Sequence, residues 1–406
     1  MPLSPYFNIG GSGSGVDFGG AWVLMDSNGV ATGYSTYADA VAVAVAGQTI
    51  HMVADVTETS ATECILKDGV NVDLNGNTYT LNVATTENSF SDNNVTVNCS
   101  VFNGTIRREG GTYSTVNSLG LFIDDSNSEI TLNGIVIESS FGCTTTVDGK
   151  LTGGKFISEG GTIAYFCTSL GEVSGASIFG VNGARLQGDS RNIFCRATSG
   201  TALDVRGTGE YHNLLGISLG SYGIFSNSAC KVYNSTGISF ANFGIWNSGS
   251  GKYYSCHGYS SAVIGLFSNS TSGETIDCSG VSDGNYAFGI SGKAFSCFAQ
   301  SSVSQAVRLS NDGVWYNGEA ESTYNNASGH AYYNSSSTSG LAGVYNSLGK
   351  VANSSANGIH CISSTYNIRF GNNTFEGCTN ILNTGTAGVV NLQTNAPDTE
   401  GNILVG

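Results

Sequence analysis

Two acidic residues, Asp189 and Glu210, lie 21 positions apart in the most charged part of the chain. Arg185 and Arg206 have the same spacing, and His212 follows closely. If a structural repeat of this length places each pair side by side, the two carboxylates are roughly 5 Å apart, as in retaining glycosidases. One carboxylate would then be the nucleophile and the other, with a raised pKa, the acid and base. The alternative is that these charges form solvated or intersubunit ion pairs.

A repeat of this length does run through the sequence. Apolar segments centred on glycine recur at positions 223, 244, 265 and 289, with spacings of 21, 21 and 24. A second series begins at positions 231, 252, 274, 293 and 314, with spacings of 21, 22, 19 and 21. A period of roughly 20 to 50 residues is typical of stacked repeat proteins, in which each repeat buries its apolar face against its neighbours. The sequence therefore predicts a solenoid.

The residue types of the repeat favour strands over helices. Short runs of Ile, Val, Tyr, Phe and Thr alternate with Gly, Asn and Ser, which is a strand-and-turn composition. The patterns of leucine-rich repeats and propellers are not found in the sequence. Asn and Gly suit tight corners because both tolerate the left-handed backbone conformation. We therefore predict an all-β fold, a right-handed single-stranded parallel β-helix solenoid of about 15 coils.

The predicted β-helix extends from residue 34 to residue 382 as one body. Residues 1–33 include a Gly/Ser run at 10–15 and are predicted to be a flexible or attachment segment. Thr36 and Asp39 match a capping box, and Gly47 is a stop signal. They predict a cap helix near residues 36–46 that covers the open edge of the first coil. Residues 383–406 are predicted to be a C-terminal tail or cap.

Three segments, residues 37–40, 47–58 and 66–77, resemble the opening of right-handed parallel β-helix proteins of the pectate-lyase-like superfamily. In that superfamily a cap helix leads into the first strand, and a corner such as residues 73–76 closes an early coil. The chain also resembles bacteriophage tailspike and tail-fibre proteins, secreted polysaccharide lyases and bacterial surface proteins. The resemblance implies a host cell-surface glycan as ligand and, for tailspikes, a homotrimer.

The composition is compatible with a glycan ligand. Charged residues make up 11% of the chain, against about a quarter in typical domains. An uncharged surface rich in hydroxyls and amides binds sugars through hydrogen bonds and exposed rings. Neighbouring side chains of a strand face opposite ways, so one ring of each aromatic doublet is expected in the core. The candidate glycan-binding residues are Arg185, Arg206, His212, Tyr254, Trp315, Tyr316 and Tyr333.

Charge argues against other ligands. The net charge is −15, and the 15 Lys and Arg residues are spread over 406 positions. Nucleic acid binding, which needs basic clusters, is therefore not expected, and neither is an anionic membrane surface. Residues 1–4 have no basic start and no apolar segment follows, so we expect no secretory signal and no membrane insertion.

Cysteine and histidine spacing predicts neither a metal site nor a cofactor. The 11 cysteines are an odd number, which argues against a full disulfide framework. Cys256, Cys278 and Cys297 share one register of the repeat, which predicts an internal ladder of small apolar side chains. The five histidines do not cluster at ligand spacing.

Three functions are compatible with this sequence. The first is a phage virion tail protein, a tailspike or tail-fibre subunit, that recognises host cell-surface polysaccharide with little or no enzymatic activity. Such a protein is made in the host cytoplasm and joins other virion tail proteins, here through the N-terminal segment. The second is a polysaccharide depolymerase, a glycoside hydrolase or lyase, with Asp189 and Glu210 as catalytic residues. The third is a bacterial adhesin, secreted or at the cell surface. We predict the first.

Overall fold

The computed structural model describes residues 18–26, 28–111, 118–160, 163–335, 342–361, 368–378, 380–384 and 403–405. As the sequence predicts, the chain is an all-β parallel β-solenoid, and only 2% of its residues are helical. Its described residues make about 13 turns. The sequence predicts one body, whereas the chain divides into two compact units, Met1–Ala184 and Arg185–Gly406.

The first unit begins with an antiparallel ribbon. Its opening elements are strand β1 (Trp22–Met25), strand β2 (Ala31–Tyr34), helix α1 (Tyr37–Val43) and strand β3 (Thr49–Met52). Strand β1 pairs antiparallel with both β2 and β3. Since Trp22 and Val23 are fully buried, the described residues from 18 onward belong to the folded unit and are not the flexible segment predicted. Residues 1–17 lie outside the described residues.

The further strands of the first unit are short, apart from three longer ones. In its described residues they are Val56–Glu58, Cys64–Ile65, Asn71–Asp73, Thr78–Asn82, Phe90–Ser91, Asn98–Glu109, Leu121–Ile123, Glu129–Ser139, Thr145–Val147, Lys150–Ser158, Ile163–Cys167, Glu172–Ser174 and Ser177–Gly180. The strand Asn182–Leu186 includes the boundary between the units.

Helix α1 is shorter than predicted. The Thr36 hydroxyl accepts a hydrogen bond from the Asp39 amide at 3.1 Å, as a capping box requires. The helix ends at Val43 because Ala44 is already extended. Lys67 Nζ donates to the Ala44 carbonyl at 2.6 Å and so binds this end of the helix. That α1 covers the first coil is not confirmed and stays a prediction.

Coil length varies in the first unit. Val101 pairs with Val72 of the preceding coil and with Leu132 of the following coil. In both pairs, the partners are separated along the chain by more residues than one repeat of the second unit contains. The period of about 22 residues is therefore an average, which some coils of the first unit exceed.

A buried arginine holds one of the enlarged loops in place. Arg108 is fully buried, and its guanidinium donates to the Val83 carbonyl at 3.0 Å. The same group donates to the carbonyls of Leu81 and Thr85, which lie on either side of Val83 along the chain. The loop backbone thus supplies the acceptors that a buried guanidinium needs.

The coils of the second unit contain three strands, which stack on three faces. Face 1 consists of Leu203–Val205, Ile224–Ser226, Ile245–Asn247, Leu266–Ser268, Phe288–Ile290, Val307–Leu309, Tyr332–Asn334, Asn357–Cys361 and Asn380–Thr384. Face 2 consists of Ser190–Arg191, Glu210–His212, Lys231–Tyr233, Lys252–Tyr254, Glu274–Ile276, Lys293–Phe295, Val314–Tyr316, Ala342–Tyr345 and Ile368–Gly371. Face 3 consists of Phe194–Ala197, Leu215–Ser218, Thr236–Ser239, His257–Ser260, Ser279–Ser282, Phe298–Ser301, Glu319–Ser322, Leu348–Val351, Thr374–Glu376 and Ile403–Val405.

Parallel pairing sets the register between coils. Lys231 pairs with Lys252 on face 2, and Ile224 pairs with Ile245 on face 1, in both cases one period further along the chain. Side chains alternate between core and surface along most strands of the second unit. On face 1, for example, Ile224 is buried and Phe225 is half-exposed. The outward residues of successive coils therefore form ladders.

A ladder of buried serines closes the coils after face 3. Its members are Ser218, Ser239, Ser260, Ser282, Ser301 and Ser322. The Ser260 hydroxyl accepts a hydrogen bond from the Val263 amide at 2.9 Å. The Ser282 hydroxyl, one coil further, donates to the Val263 carbonyl at 2.7 Å. The serine hydroxyls thus hydrogen-bond to backbone amides and carbonyls of the turns, which would otherwise lack partners.

Candidate functional site

The charged residues of the sequence prediction form two separate clusters in the second unit. Arg185 Nε lies 3.3 Å from Asp204 Oδ2, and Arg206 Nε lies 2.9 Å from the same oxygen. The two arginines lie on neighbouring coils: Arg185 is in the strand Asn182–Leu186, which pairs with the first strand of face 1, and Arg206 directly follows that face 1 strand. Both guanidinium groups, however, are already paired with one carboxylate. This arrangement is a partly exposed ion-pair network.

The predicted catalytic pair has structural partners of its own. Asp189 Oδ1 accepts a hydrogen bond from the Glu210 amide at 2.8 Å. Glu210 Oε1 accepts one from Lys231 Nζ at 3.0 Å, and Glu210 Oε2 lies 3.7 Å from His212 Nε2. The bond from Lys231 lowers the pKa of Glu210. The expectation of a raised pKa is therefore wrong for Glu210, because a cation and not a second carboxylate dominates its surroundings.

Aromatic side chains of face 2 stack along the coils. The His212 and Tyr233 rings are 4.5 Å apart at an angle of 7°, and the Tyr233 and Tyr254 rings are 4.8 Å apart at 11°. These spacings match the separation of neighbouring strands, which is about 4.8 Å. All three rings are half-exposed.

The stack resumes two coils further along face 2, past Ile276. Phe295 stacks on Tyr316 at 5.1 Å, and Tyr316 stacks on Tyr345 at 5.3 Å. We call these six rings, from His212 to Tyr345, the ring ladder. Because neighbouring rings cover each other's faces, a bound sugar can reach the ring edges and hydroxyls of the inner members. Both faces of the Tyr316 ring are covered by its neighbours, and its predicted role in glycan binding stays a prediction.

One predicted binding residue lies in the core. Trp315 is fully buried and packs edge-on against Phe288 at 5.0 Å. The surface role predicted for Trp315 is therefore wrong. The physical reason is strand alternation, since Trp315 is the inward residue of its strand and Tyr316 the outward one. The same alternation buries Tyr332 and leaves Tyr333 half-exposed.

Tyr333 lies on face 1 and not beside the ring ladder. Its ring is nearly parallel to those of Tyr286, 5.9 Å away, and His360, 5.6 Å away. Arg308 lies over the Tyr286 ring and donates to the Ser335 hydroxyl at 2.7 Å. Face 1 therefore carries its own cluster of rings with a cation above it.

The predicted glycan-binding residues are thus divided between two faces. Face 1 carries Arg185, Arg206 and Tyr333, and face 2 carries His212, Tyr254 and Tyr316. They do not form a single site.

Face 1 also carries an aromatic patch that sequence reasoning missed. Its members are Tyr222, Phe225, Phe243, Trp246 and Phe267, all half-exposed. Trp246 contacts Tyr222 at 4.9 Å and Phe225 at 5.2 Å, with tilted rings. The signal for this patch was present in the sequence, in the aromatic residues that flank each repeating glycine.

The corner between faces 2 and 3 repeats one unusual backbone conformation. Along the described coils, nine residues at this position have φ between 49° and 55°: Asn192, Asn213, Asn234, Ser255, Asp277, Ser296, Asn317, Asn346 and Asn372. Asparagine tolerates this left-handed region better than other residues with a side chain. The expectation that asparagine forms corners is confirmed at six of these nine positions.

A groove of about 650 Å³ lies along this corner in the second unit. It crosses four coils between faces 2 and 3. The lining residues are Ser296, Cys297, Phe298, Asn317, Gly318, Glu319, Asn346, Ser347, Leu348, Asn372, Thr374 and Glu376. We call it the corner groove. Phe295, Tyr316 and Tyr345 of the ring ladder each precede a lining residue, so the ladder runs beside it.

Unused amides line the corner groove. Asn317, Asn346 and Asn372 are exposed, and their side chains make no hydrogen bond within the part of the chain that the structure describes. Each amide offers two donors and one acceptor. Three such groups on successive coils form a row whose spacing is close to that of the strands. This row can bind a polymer that carries hydroxyl or amide groups at short intervals.

The charges at the groove are mostly acidic. Lys350 Nζ lies 2.7 Å from Glu319 Oε1, and this hydrogen bond raises the pKa of Lys350. Gln300 Nε2 donates to Glu321 Oε2 at 2.7 Å. Glu376 lines both the corner groove and a second depression of about 270 Å³ on face 3. Among the described residues, no side chain hydrogen-bonds or ion-pairs with the Glu376 carboxylate.

The predicted cysteine ladder is confirmed, with an additional role. Cys256, Cys278 and Cys297 are buried free thiols. Cys278 donates to the Ile276 carbonyl at 3.2 Å, and its neighbours make the equivalent bond. The Ser347 hydroxyl does the same at its own coil. The thiols thus donate to backbone carbonyls at the corner as the serine hydroxyl does. Burial raises the pKa of Cys278 and Cys297, so both thiols stay protonated.

The class of this protein is assigned from its fold. No protein-family model matches this chain, and no curated protein matches it. The fold defines the class: the chain is a parallel β-solenoid protein with a surface groove in its second unit. In the described ranges, His, Cys, Asp and Glu side chains do not gather in threes as metal ligands would. Within the same ranges, no helix combines the length and the apolar character that crossing a membrane requires.

Proposed function

We propose that this protein is a virion tail component of a bacteriophage, a tailspike or tail-fibre subunit, that binds a host cell-surface polysaccharide without cleaving it. The corner groove is the proposed binding site. The observation that carries the proposal is the row of unused amides at Asn317, Asn346 and Asn372, on successive coils of a groove that crosses four coils. A regular row of donors and acceptors suits a polymer with a regular repeat.

The ring ladder supports the same ligand class. The half-exposed edges of Phe295, Tyr316 and Tyr345 run beside the groove, where they would contact the apolar edges of sugar rings. The tyrosine hydroxyls add further donors and acceptors. A largely uncharged wall of amides, hydroxyls and ring edges is chemically suited to carbohydrate and poorly suited to nucleic acid, which requires basic clusters.

The proposal is non-enzymatic because both carboxylates of the candidate catalytic pair are engaged in structural contacts. A retaining glycosidase requires one carboxyl group with a raised pKa to act as the acid. The pKa of Glu210 is lowered by Lys231, and Asp189 accepts a backbone hydrogen bond. These contacts favour the ion-pair alternative for this cluster.

The virion setting rests on the sequence resemblance and on composition. A chain with 11% charged residues and many hydroxyl groups is compatible with a virion protein, which assembles inside the host and works outside it. We propose accordingly that it assembles as a homotrimer and joins other tail proteins through the N-terminal segment, residues 1–33, of which residues 1–17 lie outside the described residues. Sedimentation of the purified chain tests the trimer: a mass of three chains supports this part of the proposal, and a monomer contradicts it.

Binding is tested with variants that remove amides without straining the corner. Asn317→Gly and Asn346→Gly keep the left-handed backbone, since glycine adopts positive φ without penalty. Each lost hydrogen bond is worth about 1 kcal/mol, so the double variant should bind purified host polysaccharide at least about 10-fold more weakly. Asn234→Gly is the matched control, because Asn234 has the same φ of 49° outside the groove and should bind as the wild type does.

Two results would contradict the proposal. One is that no surface polysaccharide of any host binds the intact protein in biolayer interferometry. The other is that the double groove variant binds as tightly as the control. Release of reducing ends from the polysaccharide, lost in Asp189→Asn and Glu210→Gln, would instead establish the depolymerase alternative.

A further inference from the structure

We infer that the corner groove selects polysaccharides that are neutral or carry amino groups, and rejects those that carry carboxylate, sulfate or phosphate. This inference rests on the proposed function and adds the charge class of the ligand. It concerns the part of the groove near Glu376, where the protein presents negative charge to whatever lies in the groove.

The balance of charges around this end of the groove is negative. Glu319 and Glu376 line the groove itself. Glu321 lies opposite Lys350 in the strand register and lines the adjoining depression. Lys350 is the only cation among the described lining residues of the two depressions. One lysine therefore faces three carboxylates.

Lys350 is also not available to an anionic ligand. Its ammonium group is bound to Glu319 at 2.7 Å, and the raised pKa of Lys350 reflects that bond. An anionic sugar would have to break this pair or leave its own charge without a partner. An unpaired charge in a partly desolvated groove is costly, so this arrangement disfavours anions.

Glu376 faces the groove with a carboxylate that makes no direct hydrogen bond or ion pair among the described residues, although its charge also acts on Lys350. It lies opposite Lys350 in the register of face 3, is half-exposed and lines both depressions. A sugar carboxylate about 4 Å from it would be repelled, and the repulsion grows as water is displaced. An ammonium group at the same place would gain a charge-assisted hydrogen bond. A neutral sugar would gain a hydroxyl-to-carboxylate hydrogen bond.

The amide row does not itself discriminate by charge. Asn317, Asn346 and Asn372 offer donors and acceptors equally, so they fit hydroxyl, acetamido or carboxylate groups. The selectivity against acidic polymers therefore depends on the glutamates, whereas overall affinity depends on the amides. This division allows the two properties to be tested separately.

The experiment measures binding of the full chain to three sets of purified bacterial surface polysaccharides: neutral, amino-sugar-containing and uronate-containing. We expect the uronate set to bind at least about 10-fold more weakly than the other two at low salt. Salt of about 0.5 M should reduce the difference, because it screens the repulsion. Glu376→Gln, which keeps the side-chain shape, should strengthen uronate binding about 3-fold or more and weaken binding of amino-sugar polymers.

Glu172→Gln is the matched control. It removes the same charge from an exposed residue of the first unit, so it should leave the selectivity unchanged. If the effect of Glu376→Gln were due to misfolding, its circular dichroism spectrum and melting temperature would change as well. A spectrum and a melting temperature equal to those of the wild type therefore show that the variant is folded.

The outcomes separate this inference from the proposed function. If uronate polymers bind as well as neutral ones and Asn346→Gly weakens both, the groove binds glycan and the charge inference is wrong. The charge inference also fails if the two glutamate variants change uronate binding equally. If none of the three sets binds, the proposed function fails and the inference fails with it.

Discussion

At the scale of single residues, the corner between faces 2 and 3 shows how one backbone conformation selects amino acids. Nine described coils place a residue with positive φ there, and six of them use asparagine. Ser255, Ser296 and Asp277 are the exceptions. Left-handed backbone is unfavourable for most residues with a Cβ, and less so for Asn and Asp, whose side chains can bond locally. The two serine corners are therefore expected to be strained.

This strain predicts a stabilising substitution. Ser255→Asn should raise the free energy of unfolding by about 0.5 kcal/mol, because asparagine tolerates φ near 50° better than serine does. Ser255 is exposed, so the larger side chain has room. Urea unfolding followed by circular dichroism measures the change.

The reciprocal substitution is the control. Asn234 occupies the same corner, with φ of 49°, so Asn234→Ser should lower stability by a similar amount. If both substitutions change stability in the same direction, the conformational argument does not hold and side-chain contacts decide instead.

At the scale of strands, ladders between neighbouring coils give each face its properties. Alternation along a strand was predictable from the sequence, which is why one ring of each aromatic doublet was expected in the core. The sequence did not show that outward rings stack face to face, since that depends on the rotation of each coil relative to the next. Alternation alone did not say which member of the Trp315–Tyr316 doublet points inward, so the sequence did not exclude Trp315 from the surface.

A histidine ladder near face 1 predicts a pH dependence. His330 is 5% exposed, its ring lies 4.5 Å from that of His360, and its Nδ1 accepts from the Asn357 amide at 3.0 Å. Burial, with the neighbouring His360, lowers the pKa of His330 from 6.5 to about 4. The unfolded chain therefore binds the proton more readily than the folded one.

The sign of the effect follows from this difference. The stabilisation by neutral His330 is complete above about pH 6.5 and is lost progressively as the pH falls toward 4, up to roughly 3 kcal/mol. Thermal unfolding between pH 7 and pH 4.5 should show this loss. In His330→Asn, whose carbonyl can still accept from the Asn357 amide, the pH dependence over this range should be smaller. An unchanged slope in the variant would assign the effect to other groups.

At the scale of the whole molecule, the repeat predicts that the second unit tolerates the loss of one complete coil. Removing residues 234–254 joins Tyr233 to Ser255, and Tyr233 is the register partner of Tyr254. Since each coil contacts only its neighbours, the shortened chain should fold with the same circular dichroism spectrum and a similar melting temperature.

The control is a deletion that shifts the register of the strands that follow it. Removing residues 234–244 takes out about half a coil, so the strands that follow would meet the wrong faces of the preceding coil. This chain should be insoluble or melt much earlier. If the full-coil deletion behaves as badly as the half-coil deletion, the second unit does not fold as independent repeats.

The sequence by itself determined the class of fold, the parallel strands, the asparagine corners and the stacked cysteines. All of these follow from local residue types and a period of 21, because parallel stacking makes residues one period apart into neighbours. Only the tertiary structure decided which of the three faces each candidate residue lies on, and which carboxylate is already paired. It also placed the unused amides and Glu376 along one groove, because that depends on how the coil turns between its second and third strands.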